Sequence, residues 1–414
     1  MKDISTLPAA AAHPVAETQS PAPSSNAEAP FFLDELFFSR TDGRGVIQAF
    51  NHVFERIAEY PAAQLCGAPH KIIRHTDMPR GVFWLLWNGL KNNELVGAYV
   101  KNRSKSGRYY WVYAVISPLD DGYLSVRIKP TSPMLARVER LYADLLEDEK
   151  RSGLSPEQSA RALVRKLADE GFASYGVFQS EALLQEFQTR HTALSRPRDR
   201  DVERGAAIRA ACQKIEAEVA SLNHHLAKTA ITTANFKVQA AKIMGQCPAM
   251  RVIAENYQVM IEDLRTALAD LVPAHGQTSV WDCGQEVAAV FHLCASTLMT
   301  EALDSFKTEV GDGRTDMASE IEHLRGLVSQ YQDRAMRARE QALQTTQRIQ
   351  RQADSLSRTI MSLSVIRNTI SIEANMHKNV FGALTAIVQS INAFHDIFED
   401  HLQKLRDAAV SMAG

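Results

Sequence analysis

Short apolar runs separated by turn-forming residues characterise the chain from residue 37 to about residue 130. The turn signals are Asp42-Gly43, Ser106-Gly107 and Asp121-Gly122, and helical spacing occurs between the first two. Residues 109–117 alternate so that both faces of a strand could be covered. Two strands, then short helices, then three strands predict an α+β domain with a five-stranded antiparallel sheet and helices on one side.

Beyond residue 132 the strand pattern stops, and apolar residues then recur at alternating steps of four and three. One such seam runs from Ile208 to Leu226 and a second from Ile253 to Leu271, on either side of a break near Gly245. The two segments are predicted to fold back as an antiparallel helical hairpin with its tip at residues 245–250.

A third seam begins at Met317, and no Gly or Pro occurs from residue 327 to residue 381. At about 1.5 Å per residue, this stretch predicts a helical rod of roughly 80 Å. Heptads of this length need an apolar partner surface, so we expect either self-association, here as a homodimer, or packing on the first hairpin.

The changes in pattern divide the chain into five predicted segments. They are a disordered Ala-, Pro- and Ser-rich tail (1–30), the α+β domain (31–131), a helical connector (132–204), the antiparallel helical hairpin (205–272), and further helices including the long heptad rod (273–414).

Composition excludes several classes of function. The hydrophobic fraction is 45%, the charged fraction is 23% and the net charge is −2, so no basic field favours nucleic acid or an anionic membrane surface. Five scattered cysteines without Cys-x-x-Cys pairing indicate reduced thiols and a cytoplasmic protein, with no metal site. The N-terminus lacks an apolar signal region and no continuous apolar run is long enough for a membrane span, so a soluble protein is expected. No catalytic motif is present, and the chain is predicted not to be an enzyme.

Polar and aromatic residues concentrate within the α+β domain, and two interpretations of them are open. A ligand with a ring system, amide groups and phosphates needs fixed donors, an aromatic wall and a cation. Alternatively, Arg74 and Asp77 form a local ion pair that caps a helix starting near Met78, while Asn51 caps a helix beginning at His52. The residues concerned are Asn51, His70, Arg74, His75, Asp77, Lys101 and Asn102, with Trp87, Tyr110 and Trp111.

Three ordered motifs in residues 37–130 resemble the PAS domain of bacterial aerotaxis receptors. They are His70-Lys71-Ile72-Ile73-Arg74-His75-Thr76-Asp77-Met78-Pro79, Val100-Lys101-Asn102-Arg103 and Tyr110-Trp111-Val112. In that family the PAS pocket holds flavin adenine dinucleotide (FAD). The resemblance implies that the cofactor-binding residues here are Asn51, Arg74, His75, Asp77, Trp87 and Asn102.

Two positions depart from the family pattern. Thr76 replaces a proline, and Val96 stands where flavin-binding members carry a tryptophan. The second departure leaves open an empty pocket, in which case the domain would be a scaffold that acts through protein–protein interaction. Haem is a rival cofactor, since His52, His70 and His75 supply imidazoles.

The helical region resembles, in degenerate form, the cytoplasmic signalling hairpin of methyl-accepting chemotaxis proteins. The matching segments are 235–242, Gly245 and 252–257, and residues 366–374 form a second stretch that resembles the same family. This chain lacks the Glu-Ala-Ala-Arg-Ala-Gly-Glu core with which that family binds its kinase and coupling protein. The resemblances together imply a soluble, cytoplasmic PAS sensor of redox state or oxygen, with a chemotaxis kinase, a coupling protein or another signalling protein as its partner.

Overall fold

A computed structural model describes residues 27–242, 248–269, 284–308, 316–376 and 382–413. Most of the predicted disordered tail and half of the predicted hairpin tip at residues 245–250 lie outside these ranges.

Five antiparallel strands form one sheet, as the spacing of apolar runs and turns predicted. Their order is β2-β1-β5-β4-β3. Gly122 opens the last strand, where a Cβ atom would lie 1.9 Å from the carbonyl oxygen of Thr41, so only glycine allows this approach of two strands. The strands are β1 (Phe37–Asp42), β2 (Ile47–Phe50), β3 (Val96–Arg103), β4 (Tyr109–Leu119) and β5 (Gly122–Ile128).

Short helices between β2 and β3 cover one face of the sheet. They are α1 (His52–Ala58), α2 (Ala62–Leu65), a 3-10 turn (His70–Ile73) and α3 (Arg80–Lys91). Asn51 caps α1 as expected, since its side chain accepts a hydrogen bond from the Phe54 backbone N–H at 3.2 Å.

The expected ion pair between Arg74 and Asp77 is wrong. The Asp77 carboxylate instead accepts from Lys101 Nζ at 2.8 Å, while the Arg74 guanidinium lies 3.4 Å from the centre of the Phe83 ring. The helix that this pair was expected to cap begins at Arg80, whose backbone N–H donates to Glu149 at 2.8 Å. Asp77 is therefore paired with Lys101 on β3, and the start of the helix is capped by Glu149, which lies far away in the sequence.

Three helices follow the sheet: α4 (Pro133–Ser152), α5 (Pro156–Asp169) and α6 (Tyr175–Ala193). A serine caps each N-terminus, namely Ser132, Ser155 and Ser174. Helix α5 packs on α3, and α6 lies on the sheet face opposite the short helices, where Gln179 accepts from the Gly97 N–H at 2.8 Å. These helices share one apolar core with the sheet.

The rest of the described chain is helical, which confirms the predicted fold class. Helices α7, α8, α10 and α11 build a second apolar core that contains the seam from Ile208 to Leu226, and α10 packs on both α8 and α11. The long heptad helix therefore packs on the hairpin, one of the two expected arrangements. The helices are α7 (Arg200–Lys242), α8 (Pro248–Ala269), α9 (Gln285–Thr308), α10 (Met317–Met376) and α11 (Gly382–Ala413).

Helix α9 lies in the first core, against α6, α7 and α10. Within the part of the chain that the structure describes, its residues Gln285–Phe306 form the one stretch whose length and composition would allow a membrane crossing. In its most apolar window, 61% of the residues are buried inside the protein, and the core helix of a soluble protein passes the same test.

Candidate functional site

A cavity lies between the sheet and the short helices that cover it. Its volume is about 140 Å³, or about 790 Å³ with its solvent-open mouth. The lining residues come from β1, the turn before β2, the 3-10 turn and its following residue, α3, β3, β4 and β5. They are Ser39, Thr41, Gly45, His70, Lys71, Arg74, Phe83, Leu86, Trp87, Leu90, Val100, Asn102, Ala114, Ile116, Tyr123, Ser125 and Arg127.

Strand alternation determines which side chains face this cavity. Ser39 pairs with Ser125 and Phe37 with Arg127 across β1 and β5, so these four side chains lie on the same face of the sheet. The pairing of β5 with β4 continues this face through Ala114 and Ile116. One face of four adjacent strands therefore forms the floor of the cavity.

Arg127 is the buried cation of this floor. Its Nη1 atom donates to Ser39 Oγ at 3.0 Å, and its Nη2 atom lies 2.9 Å from His70 Nε2. Because a guanidinium can only donate, His70 Nε2 accepts and the imidazole is neutral, with its proton on Nδ1. Burial, together with the nearby Arg127 charge, lowers the pKa of His70 to about 3. Burial also lowers the pKa of Arg127 to about 10, which leaves it charged at neutral pH.

Arg127 takes part in no ion pair among the described residues. The atoms that contact its guanidinium are the Ser39 hydroxyl and the neutral His70 ring, and the Phe54 ring centre lies 5.8 Å away. Ser125, at 4% exposure, has a buried hydroxyl without a hydrogen-bond partner in the described structure. The floor thus carries an uncompensated positive charge beside an unsatisfied polar atom.

The walls of the cavity are apolar and its mouth is aromatic and basic. Trp87 stands at the mouth, edge-on to Tyr123 with ring centres 5.2 Å apart and an interplanar angle of 76°. Gly45 has a φ of +78°, and a Cβ atom there would lie 3.2 Å from the Trp87 ring. Lys71 and Arg74 add two cations to the lining.

Three of the six residues implied by the resemblance line the cavity: Arg74, Trp87 and Asn102. Asn51 does not, because its amide is used inside the fold: Oδ1 accepts from the Phe38 and Phe54 N–H groups and Nδ2 donates to the Leu36 carbonyl.

His75 and Asp77 also lie outside the lining. They sit beyond Arg74 in the segment before α3, and Asp77 is held by Lys101. The His75 Nδ1 atom accepts from the Asp77 backbone N–H at 3.1 Å.

Four polar residues of the cavity floor are missing from the sequence-based set, namely Ser39, Thr41, Ser125 and Arg127. All four lie on β1 and β5 at positions with period two, so the spacing places them on one face of the strands, but the sequence does not show that this face lines a cavity. His70 belongs to the polar set that the sequence singles out and is also a candidate haem ligand by its imidazole. Its Nε2 atom is engaged by Arg127 instead.

The chain is similar in sequence to a known protein. The aerotaxis receptor of Escherichia coli (strain K12) is 37% identical to this chain over 121 residues. This chain is a partial homologue of that receptor. The match covers 28% of this chain and 24% of the receptor, so the chain matches about a quarter of the relative's length. The resemblance read from the three motifs is thereby confirmed.

Two further comparisons add little to the homology with the aerotaxis receptor. No family model matches the chain. The solved structure of the Erythrobacter litoralis EL346 blue-light activated histidine kinase aligns at 13% identity and a TM-score of 0.22, covering 38% of this chain and 52% of that one. A likeness of this strength supports no conclusion about function.

Proposed function

We propose that this protein is a soluble, cytoplasmic PAS-type sensor, without enzymatic activity, whose cavity binds the ring system of FAD. The observation that carries the proposal is the cavity itself, which is lined by three residues that the resemblance implies, Arg74, Trp87 and Asn102, and by the uncompensated charge of Arg127. Homology with a part of the aerotaxis receptor supports a role in signal transduction.

The cavity suits one end of a large planar ligand. An apolar cavity of about 150 Å³ admits benzene, so the enclosed space of about 140 Å³ accommodates one ring, with the remainder extending through the mouth. Lys71 and Arg74 at that mouth would hold the phosphates, and Trp87 would stack on a planar group. A bound flavin would supply a group that accepts and returns electrons.

Strand β3 links the cavity to the opposite side of the sheet. Val100 and Asn102 face the cavity, whereas Tyr99, the residue before Val100 on the same strand, points to the opposite face of the sheet. The Tyr99 hydroxyl donates to Glu186 on α6 at 2.6 Å. Glu186 also accepts from the Thr131 and Ser132 backbone N–H groups at the start of α4. A shift of β3 caused by the ligand would therefore move two helices at once.

The sheet also contacts the long helix α10 directly. Arg40 on β1 donates to Glu320 at 2.8 Å, and the Ser117 hydroxyl on β4 lies 2.8 Å from the Tyr331 hydroxyl. Since α10 continues into the bundle, it would carry the displacement to a signalling partner, for which a chemotaxis kinase or coupling protein is our first candidate, with the chain acting as a homodimer.

An absorption spectrum of the purified protein tests the proposal. We expect flavin bands and release of FAD on denaturation, with lower occupancy in Trp87→Ala, which removes the aromatic wall. Arg103→Gln, at an exposed position of β3 outside the cavity, should keep the occupancy of the unmodified protein. Colourless protein that also fails to bind added FAD would rule out the flavin.

A cofactor-free scaffold is the second candidate, and one observation favours it. The buried Val96 pairs with Ile116 at the edge of the cavity lining, where flavin-binding relatives of this type carry a tryptophan. In that case the spectrum would show neither flavin nor haem bands, and the partners captured by the protein would not change with redox conditions.

A further inference from the structure

We propose that Arg127 makes the cavity selective for a ring whose inner edge carries negative charge, and hence for the reduced over the oxidised form of the flavin. This inference rests on the proposed function and adds to it the charge of the bound ligand and the residue that selects it.

The argument starts from the cost of a buried charge. Arg127 is 5% exposed, and a cation taken out of water is unfavourable unless an anion or several hydrogen-bond acceptors compensate for it. Two neutral acceptors, Ser39 Oγ and His70 Nε2, meet the guanidinium, whereas none of the ion pairs in the described ranges includes it. The protein thus provides only part of the compensation.

Within the described ranges, no group beside the guanidinium supplies the missing negative charge. His70 accepts from Arg127 and stays neutral, and the buried Tyr110 hydroxyl remains protonated because burial raises its pKa above the ordinary value. The Phe54 ring offers only its π face, at 5.8 Å. Compensation for the charge is therefore left to whatever enters the cavity.

Ser125 gives a second, independent indication of a ligand. It lies two residues before Arg127 on the same strand face and lines the cavity, and its buried Oγ atom has no hydrogen-bond partner in the part of the chain that the structure describes. Buried polar atoms in native proteins are nearly always hydrogen-bonded. A hydroxyl donor and a guanidinium donor side by side fit an acceptor-rich, negatively charged edge of a ring.

The charge of a flavin ring depends on its redox state. Addition of two electrons and one proton to the neutral oxidised ring leaves one negative charge, and addition of a second proton removes it. The fixed charge of Arg127 favours the state with one proton. Binding of the reduced form should therefore be tighter than binding of the oxidised form, and loss of the Arg127 charge should reduce that difference.

The experiment compares the affinity of the full-length protein, freed of ligand, for oxidised FAD and for FAD reduced with dithionite under anaerobic conditions. We expect Arg127→Gln to weaken binding of reduced FAD roughly tenfold or more beyond its effect on oxidised FAD, as loss of a charge-assisted hydrogen bond would do. For a two-electron couple, a tenfold change corresponds to a midpoint potential about 30 mV lower.

Two variants control for charge and for folding. Arg127→Lys retains the cation and should keep most of the preference for reduced FAD, which also shows whether the site tolerates substitution. Arg103→Gln removes a surface charge of the same kind and should leave the preference unchanged. If circular dichroism shows that Arg127→Gln does not fold, Arg127→Lys becomes the test. Loss of the preference for reduced FAD in that variant, which retains the positive charge, would overturn the inference.

The outcomes separate the two proposals. If the protein binds FAD and Arg127→Gln weakens both redox forms equally, the charge selection is wrong while the flavin site stands. If the unmodified protein binds neither form, the flavin proposal fails and this inference fails with it.

Discussion

The hydrogen bond between Tyr99 and Glu186 is expected to contribute measurably to the stability of the domain that contains the sheet. Glu186 is fully buried, and all four of its partners donate: the Tyr99 and Ser132 hydroxyls at 2.6 Å each, and the Thr131 and Ser132 N–H groups at 2.7 and 2.9 Å. Replacement of Tyr99 by phenylalanine removes one donor and leaves the ring in place.

The expected cost follows from the charge on the acceptor. A hydrogen bond to a charged group contributes about 1.5–3 kcal/mol, and Ser132 Oγ remains to serve the same Glu186 oxygen, so Tyr99→Phe should lower the free energy of unfolding by about 2 kcal/mol. The Tyr142 hydroxyl donates to a neutral acceptor, the Tyr99 carbonyl, at 3.2 Å. Tyr142→Phe is therefore the matched control, with an expected loss of about 1 kcal/mol or less.

Urea unfolding followed by tryptophan fluorescence measures both losses. The signal reports this domain, since Trp84, Trp87 and Trp111 lie in it, and Trp281 is the fourth tryptophan of the chain. The m value should stay unchanged, because the exposed surface does not alter. A loss for Tyr99→Phe no greater than that for Tyr142→Phe would refute the assignment of Glu186 as a charged anchor.

Two other predictions concern packing and pH. A Cβ atom at Gly81 would lie 2.5 Å from Ser159 Oγ, so Gly81→Ala should destabilise the protein by about 2 kcal/mol. At Gly326, which lies inside α10 with open space around it, the same change should raise the stability by about 0.5–1 kcal/mol; equal effects of the two substitutions in urea unfolding would contradict the packing argument. Because the pKa of His70 is about 3 in the fold against 6.5 in the unfolded chain, the unfolded state binds more protons between these values, and stability falls as pH decreases through this range. In the His70→Gln variant, the glutamine still accepts from Arg127 but does not titrate. Between pH 7 and pH 5, its free energy of unfolding should therefore fall by about 2 kcal/mol less than that of the unmodified protein; equal decreases in the two proteins would show that His70 is not buried and neutral.

The fold was predictable where short-range pattern decides it. Turn residues and the alternation in residues 109–117 indicate the strands, and unbroken heptads indicate the long helices, because both depend on periodicities of two and of three to four residues. The helices that follow the sheet were expected as a connector, yet α6 packs on the sheet. Their contacts join residues far apart in the chain, such as Gly97 and Gln179, and no local pattern encodes them.

The cavity was predictable only in part, for the same reason. The resemblance implied Arg74, Trp87 and Asn102, which line the cavity, but also Asn51, whose side chain caps helix α1 in this chain. Arg127 could not be recognised as a site residue from its surroundings in sequence, because what distinguishes it is burial without a carboxylate partner. That property appears only once β5 has been placed beside β1 and below the 3-10 turn that carries His70.

The two faces of the sheet differ in a way that suits a sensor. On the cavity face, the charge of Arg127 has no anionic partner and the Ser125 hydroxyl has no hydrogen-bond partner among the described residues, which leaves an interaction for the proposed ligand. On the other face, polar side chains are paired with helices, as Ser117 is with Tyr331 on α10. Because adjacent residues of a strand point to opposite faces, a strand that moves toward a ligand also moves the side chains that hold these helices. Since α10 runs without interruption from Met317 to Met376, a displacement at Tyr331 reaches the bundle along a single helix and does not depend on the helices that follow the sheet.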